Sequence, residues 1–98
     1  MAGKLNVDWS LKAKKDLRKI YDNITDQWSE KEAEEFLDLV QEFEKTIKGF
    51  PDAFRKSKRL KESRLGFIHK YVTAVYRVYR TRIIIVTVFD NRMRNRYR

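Results

Sequence analysis

The sequence predicts a two-layer α+β domain, in which a hairpin of two helices packs on one face of an antiparallel sheet. Two patterns lead to this prediction. Through the first half of the chain, apolar residues recur at every third or fourth position, which is the spacing of an amphipathic helix. Later they alternate with polar residues or run continuously, as they do in strands. A chain of 98 residues has room for one domain with one core.

The first half of the chain contains a short strand and the first helix. Residues 4–9 alternate in the manner of a strand, and Ser10 follows where its hydroxyl can cap a helix. We expect this helix to end in the region 24–28. Its predicted apolar face comprises Ala13, Leu17, Ile20, Ile24 and Trp28.

The second helix has a start signal and a stop signal. Ser29 and Glu32 have the spacing of a capping box, in which each side chain accepts a hydrogen bond from the other residue's backbone N–H. Gly49, Phe50 and Pro51 end the helix, because glycine can adopt a left-handed cap and proline cannot continue the helix. Since the turn between the helices is short, we expect an antiparallel hairpin.

The second half of the chain contains three predicted strands. Residues 64–67 alternate, residues 72–79 are rich in β-branched and aromatic types, and residues 83–89 predict a buried central strand. A basic connector (52–62) precedes them, and a basic tail (90–98) follows. The predicted order is therefore β-α-α-β-β-β, with the first strand free to join an edge of the sheet.

The net charge of +9 is distributed unevenly. Residues 55–98 contain 14 Lys and Arg against two acidic residues, whereas residues 1–54 contain 9 against 12. A cationic unit of this kind indicates a polyanionic partner, namely nucleic acid, a nucleic-acid machine or an acidic protein segment. A basic surface that serves only solubility is the alternative.

Several function classes have no support in the composition. The chain has no cysteine, one histidine and three dispersed glycines, so we expect no disulfide, no metal and no nucleotide cofactor. No apolar run reaches the ~20 residues that span a bilayer. The first ten residues lack the apolar region of a signal peptide. We therefore expect a cytoplasmic protein without a membrane partner.

An ordered set of short patterns resembles the RelE/ParE toxin superfamily over nearly the whole chain. It consists of Trp9–Ser10, the apolar face of the first helix, Gln27–Trp28 with Ala33 and Phe36, the Gly49–Phe50–Pro51 exit, the segment 75–78 and the apolar strand 83–89. The resemblance implies a toxin that is encoded with an antitoxin and neutralised by it in a heteromeric complex.

The superfamily contains two functional classes, and the sequence favours one of them. RelE-type members are ribosome-dependent mRNA endonucleases, whereas ParE-type members poison DNA gyrase and are not nucleases. The long helical hairpin and Gln27–Trp28 resemble the ParE type. RelE-type toxins tend to have an arginine entering the third strand, where this chain has Thr73.

The residues for nuclease chemistry are incomplete. Cleavage by a 2′-OH needs a proton acceptor, a proton donor and cations. His69 is expected to be a structural or partly exposed imidazole, and Asp90 to cap a turn or orient Arg92. We expect no catalytic set; for a nuclease, the candidates would be Arg64, Arg77, Arg92 and Tyr97.

Basic side chains are the candidates for binding the target or the antitoxin. Arginine can clamp a phosphate or carboxylate through two hydrogen bonds, and we expect Arg64 and Arg77 to reach the open face of the sheet. The full set of binding candidates is Arg64, Lys70, Arg77, Arg92, Arg94, Arg96 and Tyr97.

These observations favour a ParE-like toxin that binds DNA gyrase through its basic sheet face and tail. The alternative is a RelE-type endonuclease that acts on mRNA at the ribosome. A third possibility is a plain nucleic-acid-binding module, for which salt-sensitive binding to naked nucleic acid is expected without growth arrest.

Overall fold

The structure, a computed structural model, describes residues 5–91 and has the predicted α+β architecture and order of elements. Two helices lie between the first strand and a run of three strands. None of the helices in this part of the chain is long and apolar enough to cross a membrane. The elements are β1 (Asn6–Trp9), α1 (Leu11–Gln27), α2 (Glu30–Gly49), β2 (Arg64–His69), β3 (Val72–Val78) and β4 (Arg82–Asp90).

The four strands form one sheet in the order β1-β4-β3-β2. Strands β2, β3 and β4 make the antiparallel meander that the sequence predicts, and β4 is an inner strand. Strand β1 joins at an edge, where it runs parallel to β4, so the sheet is mixed. A parallel pair needs a long connection, and here the two helices and the meander provide it.

The start of α1 continues the edge of the sheet where β1 stops. Strand β1 pairs only with residues 82–85 of β4. Beyond that point, the Ser10 backbone N–H donates to the Ile85 carbonyl at 2.9 Å. The Ser10 hydroxyl donates to the Val86 carbonyl at 2.7 Å and accepts from the Ala13 N–H at 3.0 Å. Ser10 therefore caps α1, as predicted, and also joins the helix to β4.

Asp16 completes this junction one turn further along α1. Its carboxylate accepts hydrogen bonds from the Thr87 hydroxyl at 2.5 Å, the Lys12 ammonium at 2.9 Å and the Val88 backbone N–H at 3.3 Å. Burial alone would raise the pKa of Asp16, but these hydrogen bonds outweigh it and hold the pKa below its usual value.

The turn between the helices differs from the prediction in one contact. The Ser29 hydroxyl accepts from the Glu32 N–H at 3.1 Å, as a capping box requires. The reciprocal bond is replaced, because the Ser29 N–H donates to the Ile24 carbonyl at 3.2 Å. Trp28 was expected on the apolar face of α1, yet it follows the last helical turn and is 74% exposed.

The end of α2 also corrects an expectation. No glycine among residues 5–91 has a positive φ, so the predicted left-handed cap at Gly49 is wrong. Gly49 is instead the last helical residue, and the Phe50 N–H donates to the Thr46 carbonyl at 2.8 Å. This bond closes the final turn without a left-handed residue.

The two faces of the sheet carry apolar clusters of unequal size. The helix-facing side contains the main core, which joins α1 and α2 to the inner strands. On the other side, Leu65, Val75 and Phe89 form a small cluster, against which the partly buried Leu60 and Val86 pack. The buried members of the main core are Ala13, Phe36, Val40, Phe43, Ile47, Ile68, Val72, Ala74, Tyr76, Ile83, Ile85 and Val88.

Candidate functional site

Arg64 lies on the helix-facing side of the sheet, not on the open face. It is the cross-strand partner of Tyr76, so the two side chains share a face. Its guanidinium donates to the Phe54 carbonyl at 2.7 Å and lies 3.3 Å from the Asp52 carboxylate. The expectation of an open position assumed that Leu65 points into the main core, whereas Leu65 belongs to the small cluster on the opposite face.

Tyr76 holds the same stretch of chain as Arg64. Its hydroxyl donates to the Pro51 carbonyl at 2.8 Å, and its ring meets those of Phe43 and Phe54 edge-on, at centroid distances of 6.0 and 6.4 Å. Burial raises the pKa of Tyr76 to about 12. Residues 51–54 are thus fixed to the sheet immediately after α2 ends.

Arg77 lies on the face away from the helices, as expected, because it follows the inward-facing Tyr76. Its Nε donates to the Ser63 hydroxyl at 3.1 Å, and Ser63 is buried. The carbonyl of Ser63 in turn accepts from the Ser57 N–H at 2.7 Å. Arg77 therefore bonds to the chain where the connector ends, while Arg64 bonds to the beginning of the connector.

Lys70 lies at the other end of the strand pair. It is in the β2–β3 turn, and its ammonium sits 4.9 Å from the centroid of the Tyr71 ring. Strand β2 separates it from Arg64 by roughly 17 Å. The structure thus does not bring Lys70 together with Arg64 or Arg77, and the two arginines themselves lie on opposite faces of the sheet.

His69 and Asn91 both stabilise this turn. The His69 imidazole is partly exposed, and its Nδ1 accepts from the Tyr71 N–H at 3.2 Å, so it has the structural role that was expected. Asn91 donates from its backbone N–H to the Tyr71 carbonyl at 2.7 Å and from its side chain to the Lys70 carbonyl at 2.9 Å. Asp90 is half-buried at the end of β4.

The remaining candidates lie outside the described residues. These are Arg92, Arg94, Arg96 and Tyr97. Within residues 5–91 no group of three or more acidic or histidine side chains is arranged to hold a metal ion.

The connector is ordered, although its sequence has no periodicity. Besides the Ser57–Ser63 bond, the Ser63 N–H donates to the Leu60 carbonyl at 3.2 Å. The Ser57 hydroxyl accepts from the N–H groups of Arg59 and Leu60 at 3.2 and 3.0 Å. The Leu60 side chain packs on the small cluster of the sheet. Backbone bonds, two serines and one leucine therefore fix the shape of this segment.

The basic side chains of the connector point outwards. We call residues 55–61 the cationic loop, because this stretch contains five basic residues and no acidic one. All five are exposed, and the ion pairs found among residues 5–91 do not involve Arg55, Lys56, Lys58 or Lys61. The charge of this loop is visible in the sequence, but its ordered shape is not, since serine hydrogen bonds leave no repeating pattern. The five residues are Arg55, Lys56, Lys58, Arg59 and Lys61.

Similar folds occur among solved structures. A chain of the chromosomal ParDE system from P. aeruginosa is 19% identical, with a TM-score of 0.77, over 91% of this chain and 98% of that chain. The YoeB dimer from Staphylococcus aureus gives 17% identity and a TM-score of 0.59, over 89% and 97%. The YoeB–YefM complex from the same organism gives 19% and 0.53, over 89% and 97%. At these identities the likeness is one of fold.

The sequence itself identifies the family. Among curated proteins no sequence matches. The family model described as the ParE toxin of the type II toxin–antitoxin system parDE matches residues 7–95, which is nearly the whole chain. The chain therefore belongs to the ParE toxin family of type II toxin–antitoxin systems.

Proposed function

We propose that this toxin stops growth by binding DNA gyrase and performs no chemistry itself. The match of the ParE family to residues 7–95 carries this proposal, because resemblance to ParE-type toxins implies gyrase as the target. Both gyrase and a cognate antitoxin would be met in the cytoplasm, where we place the protein.

The positions of Arg64, Arg77 and His69 support a binding function over a nuclease. The guanidinium groups of Arg64 and Arg77 are engaged in holding the connector, on opposite faces of the sheet. The chain's one imidazole, His69, lies at the far end of β2 from Arg64. An acid, a base and a phosphate-binding cation would have to converge within hydrogen-bond reach for RNA cleavage, and these three side chains do not.

A supercoiling assay tests the proposal directly. Purified toxin is added to gyrase with relaxed plasmid, and supercoiling is expected to fall as the toxin concentration rises. The control adds the purified product of the neighbouring reading frame first, which should restore supercoiling. Unchanged supercoiling at a large excess of folded toxin contradicts gyrase as the target.

The alternative, a RelE-type mRNA endonuclease, is tested in cells that express the toxin. After induction, primer extension on translated mRNA would show new 5′ ends if the toxin cut message at the ribosome. We expect none. New ends in ribosome-bound message, together with normal supercoiling, would replace gyrase by the ribosome as the target.

A cognate antitoxin is the second partner that we propose. The family consists of toxins from type II toxin–antitoxin systems. The similar YoeB chain from S. aureus was solved in a complex with YefM. Expression alone should arrest growth, and co-expression with the neighbouring reading frame should restore it. Affinity purification of the co-expressed toxin should recover that second chain; recovery of the toxin alone would count against a neutralising complex.

A further inference from the structure

The lysine side chains of the cationic loop do not determine the shape of the loop. Its shape is set by the Ser57 and Ser63 hydrogen bonds and by the packing of Leu60. The exposed lysines Lys56, Lys58 and Lys61 take no part in the ion pairs found among residues 5–91. The loop therefore presents positive charge on a backbone that is already ordered, so binding need not order it.

The composition of the cationic loop indicates what kind of partner fits it. Protein–protein interfaces have apolar or aromatic anchors at their centre and are depleted of lysine. In the cationic loop the one apolar side chain, Leu60, is turned towards the sheet, and no aromatic residue occurs between positions 55 and 61. Phosphate groups need only charge and hydrogen-bond donors, which this surface supplies.

The absence of aromatic residues in the loop also favours a duplex over a single strand. Proteins that bind single strands stack bases on aromatic side chains, whereas the phosphates of a duplex face outwards and need no stacking. We infer that the cationic loop binds the phosphate backbone of duplex DNA. The choice of DNA over duplex RNA rests on the proposed function, since gyrase acts on DNA.

The binding experiment needs no gyrase, so its failure is distinct from a failure of the proposed function. Fluorescence anisotropy follows the full chain titrated into a labelled 20-base-pair DNA duplex at several salt concentrations. The loop variant combines Lys56→Gln, Lys58→Gln and Lys61→Gln. The control combines Lys14→Gln, Lys15→Gln and Lys19→Gln, three exposed lysines of α1. Both variants lose three positive charges from +9, so they differ only in where the charge is removed.

The loop variant is expected to bind DNA at least about tenfold more weakly at low salt. The negative slope of log K against log salt should become shallower by about 2.7, because three phosphate contacts are lost. The control should stay within about twofold of the parent. Equal weakening in both variants would show that net charge alone attracts DNA and would overturn the proposal. An unaltered slope in the loop variant would do the same, as would tighter binding to an RNA duplex of the same sequence. Circular dichroism checks that both variants are folded.

Discussion

In this toxin, most of the apolar burial and the accessible charge of the connector lie on opposite faces of the sheet. The helix-facing side contains twelve buried residues in one cluster, with the rings of Phe43, Phe54 and Tyr76 in contact. The opposite side has a cluster of only three buried apolar residues, against which Leu60 packs. Most of the apolar burial is thus on one side. On the other side, hydrogen bonds fix the connector, and the charged side chains of the cationic loop remain exposed.

The largest effect is expected when a large side chain is removed from the helix-facing core, and the opposite face provides the contrast. Phe43→Ala should lower the free energy of unfolding by about 3–5 kcal/mol, because the ring is almost fully buried between helix and sheet. Leu60→Ala should cost about 1 kcal/mol, since Leu60 is only partly buried. Urea denaturation followed by circular dichroism measures both. Losses of similar size would mean that the connector contributes as much as the helices.

An alkaline titration tests the aromatic part of the helix-facing core. The pKa of Tyr76 is about 12 in the folded protein, against about 10 when unfolded. Stability from this shift is complete below pH 10 and is lost as the pH rises through 12. The loss should reach about 2–3 kcal/mol.

The Tyr76→Phe variant provides the control for this titration. It should unfold with a weaker pH dependence between pH 10 and 12. At neutral pH it should be less stable by about 1 kcal/mol, because the hydrogen bond to the Pro51 carbonyl is lost. An unchanged alkaline slope in this variant would assign the effect to other groups.

A smaller effect is expected at the junction of α1 with β4. Asp16→Asn should lower stability by about 1–2 kcal/mol at pH 7, because a charged acceptor of hydrogen bonds from three donors is removed. The pKa of Asp16 is lowered on folding, so its contribution is present above the unfolded pKa and disappears as the pH falls through the folded value. The difference between variant and parent should therefore vanish in acid.

A matched control for Asp16 lies six residues along the same helix. Asp22→Asn removes a carboxylate that pairs with Arg18 on the exposed surface. It should change the melting temperature little, since exposed ion pairs contribute about 0–1 kcal/mol. Equal losses of stability in the two variants would show that Asp16 contributes no more than an exposed surface carboxylate.

The smallest effect is predicted for the cationic loop. The combined Lys56→Gln, Lys58→Gln and Lys61→Gln variant should unfold within about 0.5 kcal/mol of the parent, because these side chains are exposed and outside the ion pairs of the described residues. Thermal melts at matched concentration measure this. A clearly lower melting temperature would show that the lysines stabilise the fold. It would contradict the view that stability comes mainly from the helix-facing side.

Local signals were sufficient for the helices and for the order of elements. Ser10 and Ser29 cap the two helices as their positions predict, because a cap depends on a few neighbouring residues. The parallel pairing of β1 with β4 could not be read from the sequence in this way. It joins residues more than 70 positions apart, and no short pattern specifies its direction.

The candidate site was harder to predict than the fold. Arg64 was assigned to the open face because alternation fixes relative sides, not which side meets the helices. Two apolar clusters exist, and Leu65 belongs to the one away from the helices. Arg77 was assigned to the correct face, but its bond to Ser63 depends on a connector without periodicity. The positions of the exposed lysines depend on the shape of the same connector, which no sequence pattern specifies.

The closure of the β4 edge has a consequence for how the protein behaves at high concentration. Residues 83–89 are the most apolar strand of the chain, and a free strand of this composition is prone to aggregate with copies of itself. Strand β1 is too short to cover β4 alone, so Ser10 and Asp16 occupy the backbone groups beyond it. Release of the first turns of α1 would expose these backbone groups of β4, so the few hydrogen bonds that position the helix also cover the edge of an aggregation-prone strand.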